Sequence, residues 1–403
     1  MTVHVRPLKE GELRTWLDAV TTAFGEGSRD DDFTAFERIA EPDRILVAAD
    51  GDAIVGGGGA FTYRLTVPGG EIDAAGVTAV GILPTHRRQG GLTQLMSRQL
   101  DDVSRRGEPV AILWASEGSI YQRFGYGLAT LEARLEVPRA SSAFRRVADR
   151  EGTTGIVSRE TVAASFPPIY DSIRATTAGF FGRSSAWWDV EVLDDPEHRR
   201  HGAGPKTFVV YECEGSAEGY LIYRIGGEWA KRTLEVRELM ATTPRAQREL
   251  WRFCFGHDLI TTISAERQPV EHPLLLLAAE PRKLEMKVGD ALWLRILDVP
   301  GALSARAYQA GDRLVLEISD SFRSETGGRW SIDTTGGRPR VERTEDPADM
   351  ALDITDLACL YLGAFHTTDL ALAGRTTELT EGARRRADAM FRTDRQPWCP
   401  QVF

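Results

Sequence analysis

The sequence of 403 residues has no apolar run long enough to span a membrane, which takes about 20 residues. Its most leucine-rich stretch, residues 274–279, has only the length of a strand, and we expect a strand there. Residues 1–7 lack the apolar core of a secretory signal peptide and have the pattern of a first strand. These absences favour a cytoplasmic protein.

Cysteine is also scarce, and no two cysteines lie close enough in the sequence to form a metal-binding pair such as Cys-x-x-Cys. The four cysteines lie far apart in the sequence: Cys213, Cys254, Cys359 and Cys399. A reduced, cytosolic chain is the simpler interpretation. The seven histidines are scattered, and His198 and His201 lie in a polar run that is typical of a solvated loop. We therefore predict no metal site.

Basic residues are outnumbered, with 49 Lys and Arg against 59 Asp and Glu, for a net charge of −10. This balance argues against nonspecific nucleic-acid binding, which needs a basic surface. It is compatible with a cationic substrate, although many cytosolic proteins are equally acidic. The length predicts two to four domains, and the composition is that of a globular protein.

Two common catalytic motifs are missing. The sequence has no Gly-x-Ser-x-Gly elbow and no His-Glu-x-x-His zinc motif. The motifs therefore indicate neither a serine nucleophile of the elbow type nor a zinc site of this kind.

The most informative segment that is present covers residues 77–92. It has the pattern of a strand ended by Pro84, a basic loop with Arg87 and Arg88, and a helix that begins near Gly91. A helix N-terminus preceded by glycines and flanked by arginines is a favourable site for a pyrophosphate. The alternative is an ordinary basic turn between strand and helix.

A second motif follows in register. Residues 109–115 have the pattern of a buried strand, and the next residues place Tyr121 five positions before Tyr126. Between them, Gly125 precedes the second tyrosine. The alternative interpretation of Tyr121 is a tyrosine of the core.

These motifs resemble the GNAT N-acetyltransferases. The family's pyrophosphate loop, Arg/Gln-x-x-Gly-x-Gly/Ala, is matched at Arg87 and Gly90, whereas Leu92 departs from the last small residue. Its Tyr-x-x-x-Gly-Phe/Tyr motif is matched from Tyr121 to Tyr126. The whole layout, including residues 290–295 and the final Phe403, resembles the enhanced intracellular survival (Eis) acetyltransferases.

The resemblance implies a mixed α/β (α+β) fold with two tandem GNAT-like domains and a C-terminal domain similar to sterol carrier proteins. We expect a catalytic domain over residues 1–138 and a degenerate one over residues 139–286. Residues 287–298 would form a strand returning to the first domain, and residues 299–403 the third domain. A role in packing or oligomerisation is favoured for that third domain over lipid carriage.

The resemblance also implies an acetyl-CoA-dependent N-acetyltransferase acting on amines of aminoglycosides, similar polyamines or lysine side chains, assembled as a homohexamer. Tyr121 would protonate the departing thiolate, and the Phe403 carboxylate would act as base. The acetyl-CoA site would comprise Val80, Ile82, Arg87, Arg88, Gln89, Gly90, Gly91 and Ser116. The substrate site would comprise Phe24, Glu26, Trp114 and Asp290.

The C-terminal residues support a buried chain end without reference to any family. Two prolines restrict residues 396–403, and Trp398, Val402 and Phe403 are apolar, so the end should pack against the protein rather than fray. A carboxylate taken into the interior needs a partner or a task. The alternative is a docked end with a structural role only. Gln401 and Val402 stand where Eis proteins often have an acidic residue, which puts an aminoglycoside substrate in doubt.

Several helices, strands and loops can be placed from the spacing of apolar residues and from the glycines, prolines and polar runs between them. We expect helices over residues 10–24 and 33–39, a polar loop at residues 25–32, and a bulged strand in the glycine run 56–59. Residues 138–151 would be a linker, and a helix would start near Phe166. Residues 241–248 lack a glycine pair, so we expect no CoA binding by the second domain, which would shape the substrate cleft.

Two alternatives of other classes remain open. The chain could bind CoA or another ligand without turnover, or it could carry lipid or bind partners through its last domain. A different acyl-CoA donor is a third possibility, because the donor pocket cannot be identified from the sequence.

Overall fold

The structure is a computed structural model that describes residues 3–146 and 149–403. Three mixed β-sheets with flanking helices make up the fold, which confirms the expected mixed α/β class. Strands and helices are numbered in chain order. Of the predicted linker at residues 138–151, positions 147 and 148 lie outside the described residues.

The first sheet has seven strands in the order β1-β2-β3-β4-β5-β14-β6. They are β1 (His4–Pro7), β2 (Leu46–Asp50), β3 (Ala53–Val67), β4 (Gly70–Ile82), β5 (Val110–Trp114), β6 (Gly127–Leu128) and β14 (Leu292–Ile296). Its helices are α1 (Leu13–Ala23), α2 (Asp30–Glu37), α3 (Gly91–Arg105) and α4 (Gly118–Tyr121). Helix α3 connects the parallel strands β4 and β5, and it buries Leu95, Met96, Leu100 and Val103, whose spacing follows one helix face.

The second sheet also has seven strands, in the order β13-β7-β12-β11-β10-β9-β8. They are β7 (Leu131–Pro138), β8 (Thr153–Ile156), β9 (Thr207–Cys213), β10 (Ser216–Gly226), β11 (Thr233–Ala241), β12 (Thr262–Gln268) and β13 (Lys287–Asp290). Its helices are α5 (Arg159–Arg174), α6 (Ser185–Trp187), α7 (Pro244–Phe255) and α8 (Leu274–Leu277). Helix α7 connects the parallel strands β11 and β12, as α3 connects β4 and β5. The second unit therefore repeats the plan of the first.

The sheets divide the chain differently from the expected boundaries. Strand β7 lies within the range assigned to the first domain, yet it pairs with β12 and β13 of the second sheet. Of the predicted returning strand, residues 287–290 stay in the second sheet, and only Leu292–Ile296 enters the first, between β5 and β6. The chain therefore passes from the second sheet to the first directly after Asp290.

The third unit is a five-stranded sheet in the order β17-β16-β15-β18-β19, with four helices. The strands are β15 (Arg313–Ser319), β16 (Gly328–Asp333), β17 (Arg340–Arg343), β18 (Met350–Asp353) and β19 (Thr376–Glu378). The helices are α9 (Val299–Ala305), α10 (Ile354–Tyr361), α11 (Thr367–Leu372) and α12 (Ala383–Phe391). This unit packs on the first sheet, where a Cβ at Gly127 would overlap the carbonyl oxygen of Thr355.

Three local predictions are wrong. Residues 274–277 form helix α8 rather than a strand, because Pro273 and the ring of His272, which accepts from the Leu274 amide at 3.1 Å, begin a helical turn. Helix α5 starts at Arg159, not near Phe166, because Ser158 caps it through the Thr161 amide.

The third concerns the polar loop, whose last residues open helix α2 instead. There Asp30, Asp31 and Asp32 occupy the first turn, where carboxylates interact favourably with the helix dipole. Asp32 also pairs with His198 at 2.9 Å and with Arg199, so that His198 joins the first unit to the second. Within the described residues, no helix has both the length and the apolar character to cross a membrane.

Candidate active site

Strands β4 and β5 part from each other in the middle of the first sheet. Their parallel pairing covers only Ala74–Gly76 of β4 against Val110–Ile112 of β5, although β4 continues to Ile82. Beyond Gly76, one edge of β4 therefore has no strand partner and is open to pair with an extended ligand.

A β-bulge lies in this unpaired part of β4. Gly57 of β3 pairs with Gly81 and Gly59 with Thr78, so two residues of β4, Ala79 and Val80, face one residue of β3. Ala79 has a φ of +53°, and the bulge turns the strand next to Val80. The predicted bulge beside the glycine run is confirmed, because Val55 is an extra residue of β3 against β2, and β4 carries a second bulge opposite Gly58.

The loop after β4 leads to an uncapped helix N-terminus. Arg88 and Gly90 both have positive φ, +63° and +82°, and α3 begins at Gly91 with no side chain accepting from its first amides. Nothing lies within 4 Å of a Cβ built at Gly90. The first amides of α3 are thus open to an anion, in the arrangement that suits a pyrophosphate.

Arg87 makes two hydrogen bonds within the protein. Its guanidinium donates to the carbonyl oxygens of Ile82 at 3.0 Å and Ala23 at 2.8 Å, and so ties the loop to the ends of β4 and α1. Arg87, Arg88 and Gln89 are exposed on this loop, and Ser116 is exposed just after β5. A role of these residues in binding a phosphate remains a prediction.

Tyr121 lies where the two strands part. It packs in one apolar cluster with Val77 of β4 and Leu113 of β5, and its ring meets that of Tyr126 at 5.9 Å. Burial, with a smaller contribution from Glu117, raises the pKa of Tyr121 to about 12. The phenol is therefore protonated at neutral pH and available as a proton donor.

The C-terminal residue reaches the same point of the sheet. The Phe403 ring packs edge-on against Tyr63 of β3 at 5.2 Å and Phe181 at 5.3 Å. A Cβ built at Gly76, the last residue of β4 paired with β5, would lie 3.2 Å from the Phe403 ring.

Adjacent residues of a strand face opposite sides of its sheet. Tyr121 belongs to the buried cluster that contains Val77, whereas the ring of Phe403 lies beside Gly76. The two predicted catalytic residues therefore flank the gap between β4 and β5 from its two faces.

The segment that carries Phe403 is held along its length. The Trp398 amide donates to Ala178 at 2.8 Å, and its indole Nε1 donates to the Arg267 carbonyl at 2.7 Å. Gln401 accepts a hydrogen bond from the Arg183 guanidinium through its Oε1 atom. The end of the chain is thus docked in a fixed position.

The four predicted substrate residues are not all brought together. Trp114, half-buried, lies beside the Cys399 thiol, and burial raises the pKa of that thiol to about 11. Phe24 is half exposed at the end of α1, 3.6 Å from where a Cβ of Gly81 would be, and Glu26 is exposed in the following loop. Asp290 accepts from the indole of Trp293 at 2.9 Å, which gives its carboxylate a structural partner.

A cavity of about 200 Å³ lies under the C-terminal segment. It is lined by Arg183, Glu191, Val192, Lys206, Ile222, Arg237, Glu238, Arg267, Pro400, Gln401 and Val402. Its charged residues come from five separate parts of the second unit, and no local motif marks them in the sequence. Within the described residues, no group of three or more His, Cys, Asp or Glu side chains could hold a metal ion.

Comparison with known proteins agrees with this geometry. Residues 4–129 and 179–296 match two models of GNAT acetyltransferase domains, and residues 299–400 match a sterol carrier protein domain. The fold and the site at the β4–β5 gap therefore define a GNAT N-acetyltransferase with a repeated domain and a sterol-carrier-like domain.

Similarity over the whole chain narrows this class. An uncharacterised N-acetyltransferase of Streptomyces avermitilis is 38% identical over all of both chains. The N-acetyltransferase Eis of Mycobacterium tuberculosis is 34% identical over 90% of each chain. The crystal structure of Eis1 from Mycobacterium abscessus is 33% identical, with a TM-score of 0.85, over 99% of this chain and 100% of that chain. The chain belongs to the Eis-type GNAT acetyltransferases.

Proposed function

We propose that this acetyltransferase moves an acetyl group from acetyl-CoA directly to a primary amine while both substrates are bound. The observation that carries the proposal is the position of Tyr121 and Phe403 on the two faces of the β4–β5 gap. A group transferred through that gap would have a proton donor on one side and a carboxylate on the other.

The donor side is formed by β4 and the start of α3. The open amides after Gly90, with Arg88 and Gln89 beside them, would bind the pyrophosphate of acetyl-CoA. The unpaired edge of β4 up to Ile82 would pair with the pantetheine arm, and Ser116 borders the same gap. The Val80 amide, turned by the bulge, would donate to the thioester carbonyl and stabilise the charge that develops on its oxygen.

The proton transfers are assigned to the two flanking residues. The Phe403 carboxylate would accept a proton from the substrate ammonium, and the neutral amine would attack the thioester carbon. As the new C–N bond forms and the C–S bond breaks, Tyr121 would protonate the departing thiolate. The amine's second proton leaves to solvent, and no covalent enzyme intermediate forms.

The sequence-based prediction for the acceptor is an amine of an aminoglycoside, of a similar polyamine or of a lysine side chain. Phe24 and Trp114 would supply aromatic contacts to such a cation, and Glu26 and Asp290 would supply carboxylates. Assembly as a homohexamer and a cytoplasmic location belong to the same prediction. Light scattering on the purified chain would test the assembly.

The experiment that tests the function is thiol detection of CoA release. Acetyl-CoA would be offered with tobramycin, neomycin, polyamines and lysine peptides to two forms of the protein. One form ends at Phe403, and the other carries one added glycine, which moves the carboxylate by about 3.5 Å. A form with the same glycine at the N-terminus is the matched control.

We expect turnover by the first form and the control, and at least a hundredfold loss in the C-terminally extended form. Equal turnover in all three would remove Phe403 from the mechanism. Tight CoA binding with no turnover of any amine would favour a non-catalytic ligand-binding protein.

A further inference from the structure

The cavity under the C-terminal segment is basic in a chain of net charge −10. Its lining contains four basic side chains and two acidic ones. One opposite pair is already satisfied internally, because Arg183 donates to both carboxylate oxygens of Glu238 at 3.0 and 2.6 Å. Among the lining residues, Glu191 is then the carboxylate that remains for Lys206, Arg237 and Arg267.

The three remaining cations lack strong carboxylate partners. The Lys206 ammonium donates to the carbonyl oxygens of Val192 at 2.8 Å and Asp194 at 2.6 Å. Arg267 has a carboxylate, that of Glu266, only at 3.9 Å. The Arg237 side chain is exposed, and within residues 3–146 and 149–403 it has no side-chain hydrogen bond and no ion pair.

The surroundings of Lys206 and Arg237 shift their pKa values in the direction expected from this excess of positive charge. Loss of hydration lowers the pKa of Lys206 to about 8, since the neighbouring Asp195 offsets only part of that loss. Loss of hydration and the charge of Arg267 also lower the pKa of Arg237. A bound anion would relieve both effects.

An uncharged donor in the lining also lacks an acceptor. Gln401 is 8% exposed, and its Oε1 atom is fixed by the Arg183 guanidinium. This fixes the orientation of the amide, and its buried Nε2 atom has no acceptor in the part of the chain that the structure describes. Such a group costs about 1–3 kcal/mol unless a ligand supplies the acceptor.

The cavity borders the residue that carries the proposed base. Val402 lines it, and the next residue is Phe403. Glu191 lies within electrostatic reach both of Lys206 in the lining and of Tyr63, which packs on Phe403. An amine bound here would present its ammonium to the Phe403 carboxylate and its other end to the cationic lining.

We infer that the acceptor is a primary amine that also carries an anionic group, a carboxylate or a phosphate, held by Arg237, Arg267 and Lys206. This inference rests on the proposed acetyltransferase function, and it replaces aminoglycosides and simple polyamines with anion-bearing amines as the expected acceptors. A polycation without an anionic group would place like charges against these three side chains.

The test compares amines that differ only in the distal charge. The wild-type protein would be assayed for CoA release with ω-amino acids of three to eight carbons, their carboxamides, phosphoethanolamine and spermidine. The same series would be run on Arg237→Gln and on Arg338→Gln, an exposed arginine of the third unit, as the matched control. Thermal unfolding would verify that both variants fold.

We expect kcat/KM for at least one acid-bearing amine to exceed that of its carboxamide by tenfold or more. Arg237→Gln should reduce that ratio by ten- to hundredfold, through KM rather than kcat, because a charged hydrogen bond is lost. The ratio should be unchanged in Arg338→Gln. A better rate with phosphoethanolamine would identify the anion as a phosphate.

Equal rates for acids and carboxamides, or the same ratio in Arg237→Gln, would overturn the inference and leave the acetyltransferase function intact. Calorimetry with glutarate tests the cavity separately from turnover. Binding to the wild type that is lost in Arg237→Gln supports the anion site even if no amine is acetylated. No glutarate binding to the wild type, together with no discrimination between acids and carboxamides, would overturn it.

Discussion

Two tyrosines at one corner of the first sheet, Tyr121 and Tyr126, differ in how far they are exposed. Tyr126 is 0% exposed, and its hydroxyl has no hydrogen-bond partner among the described residues, whereas Tyr121 is 7% exposed beside the β4–β5 gap. Tyr121→Phe should lower kcat by about a hundredfold, since it removes the proposed proton donor, and leave the KM for acetyl-CoA unchanged.

Tyr126→Phe is the control for this change. It removes a buried hydroxyl that has no partner, so we expect unchanged kcat and equal or higher stability. Steady-state kinetics and urea unfolding of both variants provide the comparison. An equal loss of kcat in both would mean that packing at this corner, rather than proton donation, is being measured.

A buried histidine should make the second unit sensitive to acid. His272 is enclosed, its Nδ1 atom accepts from the Leu274 amide, and burial lowers its pKa to about 3. The folded state therefore prefers the neutral ring. The stability that this preference contributes is fully present above the unfolded pKa of about 6.5 and is lost as pH falls from there toward 3.

We expect a loss of about 2 kcal/mol between pH 7 and pH 5 from His272 alone. Urea unfolding of the wild type and of His272→Gln at both pH values measures it. The variant should be less stable at pH 7 but lose less on acidification. The same pH dependence in both proteins would show that His272 does not govern acid unfolding.

At the scale of elements, the position of Phe403 depends on a glycine in β4. A Cβ at Gly76 would overlap the Tyr63 ring and lie 3.2 Å from that of Phe403. Gly76→Ala should therefore displace the C-terminal segment and lower kcat by at least tenfold. Gly155→Ala in β8 is the control, because nothing lies within 4 Å of its added Cβ. Full activity of Gly76→Ala would show that this packing does not position the base.

Strands and helices whose ends are marked by cap or turn residues were predictable from the sequence. Alternating apolar residues mark the strands Thr207–Cys213 and Thr233–Ala241 in the sequence, and Thr243 and Gly256 mark the two ends of the helix Pro244–Phe255. The leucines at residues 274–277 carry no such signal, since a short apolar run fits a strand or a helix.

The candidate site was predictable only where it is local. The loop around Gly90 and the spacing of Tyr121 are contiguous motifs, and the apolar end with Phe403 indicated docking. The basic cavity draws its side chains from separate strands and loops of the second unit, which only the folded chain brings together. The hydrogen bonds of Arg87 to Ile82 and Ala23 could not be predicted, because the sequence does not show which carbonyl oxygens a guanidinium will meet.

At the scale of the molecule, one buried ion pair joins the first and third units. Arg295 of β14 and Asp320 after β15 are paired at 2.6 Å with side chains 0% and 1% exposed. Asp320→Ala would leave the arginine buried without its carboxylate, and we expect a loss of about 3–5 kcal/mol of stability. Urea unfolding measures this loss.

The matched change is Asp346→Ala, which breaks an exposed pair with Arg313 in the third unit. That change should cost less than about 1 kcal/mol. If both variants lose the same stability, the pair between the units is no stronger than a surface pair. A separate, earlier unfolding step of the third unit in Asp320→Ala would show that the pair couples the units.

The position of β14 in the first sheet has a consequence for how the chain is made. β14 lies between β5 and β6, and it leaves the ribosome more than 150 residues after them. Until β14 has been synthesised, the first sheet of the nascent chain lacks the strand between β5 and β6. The unpaired edges of these two strands can then pair with other chains. Synthesis of this protein therefore includes a long vulnerable interval, in which a chaperone or the second domain must cover the slot before the sheet can close.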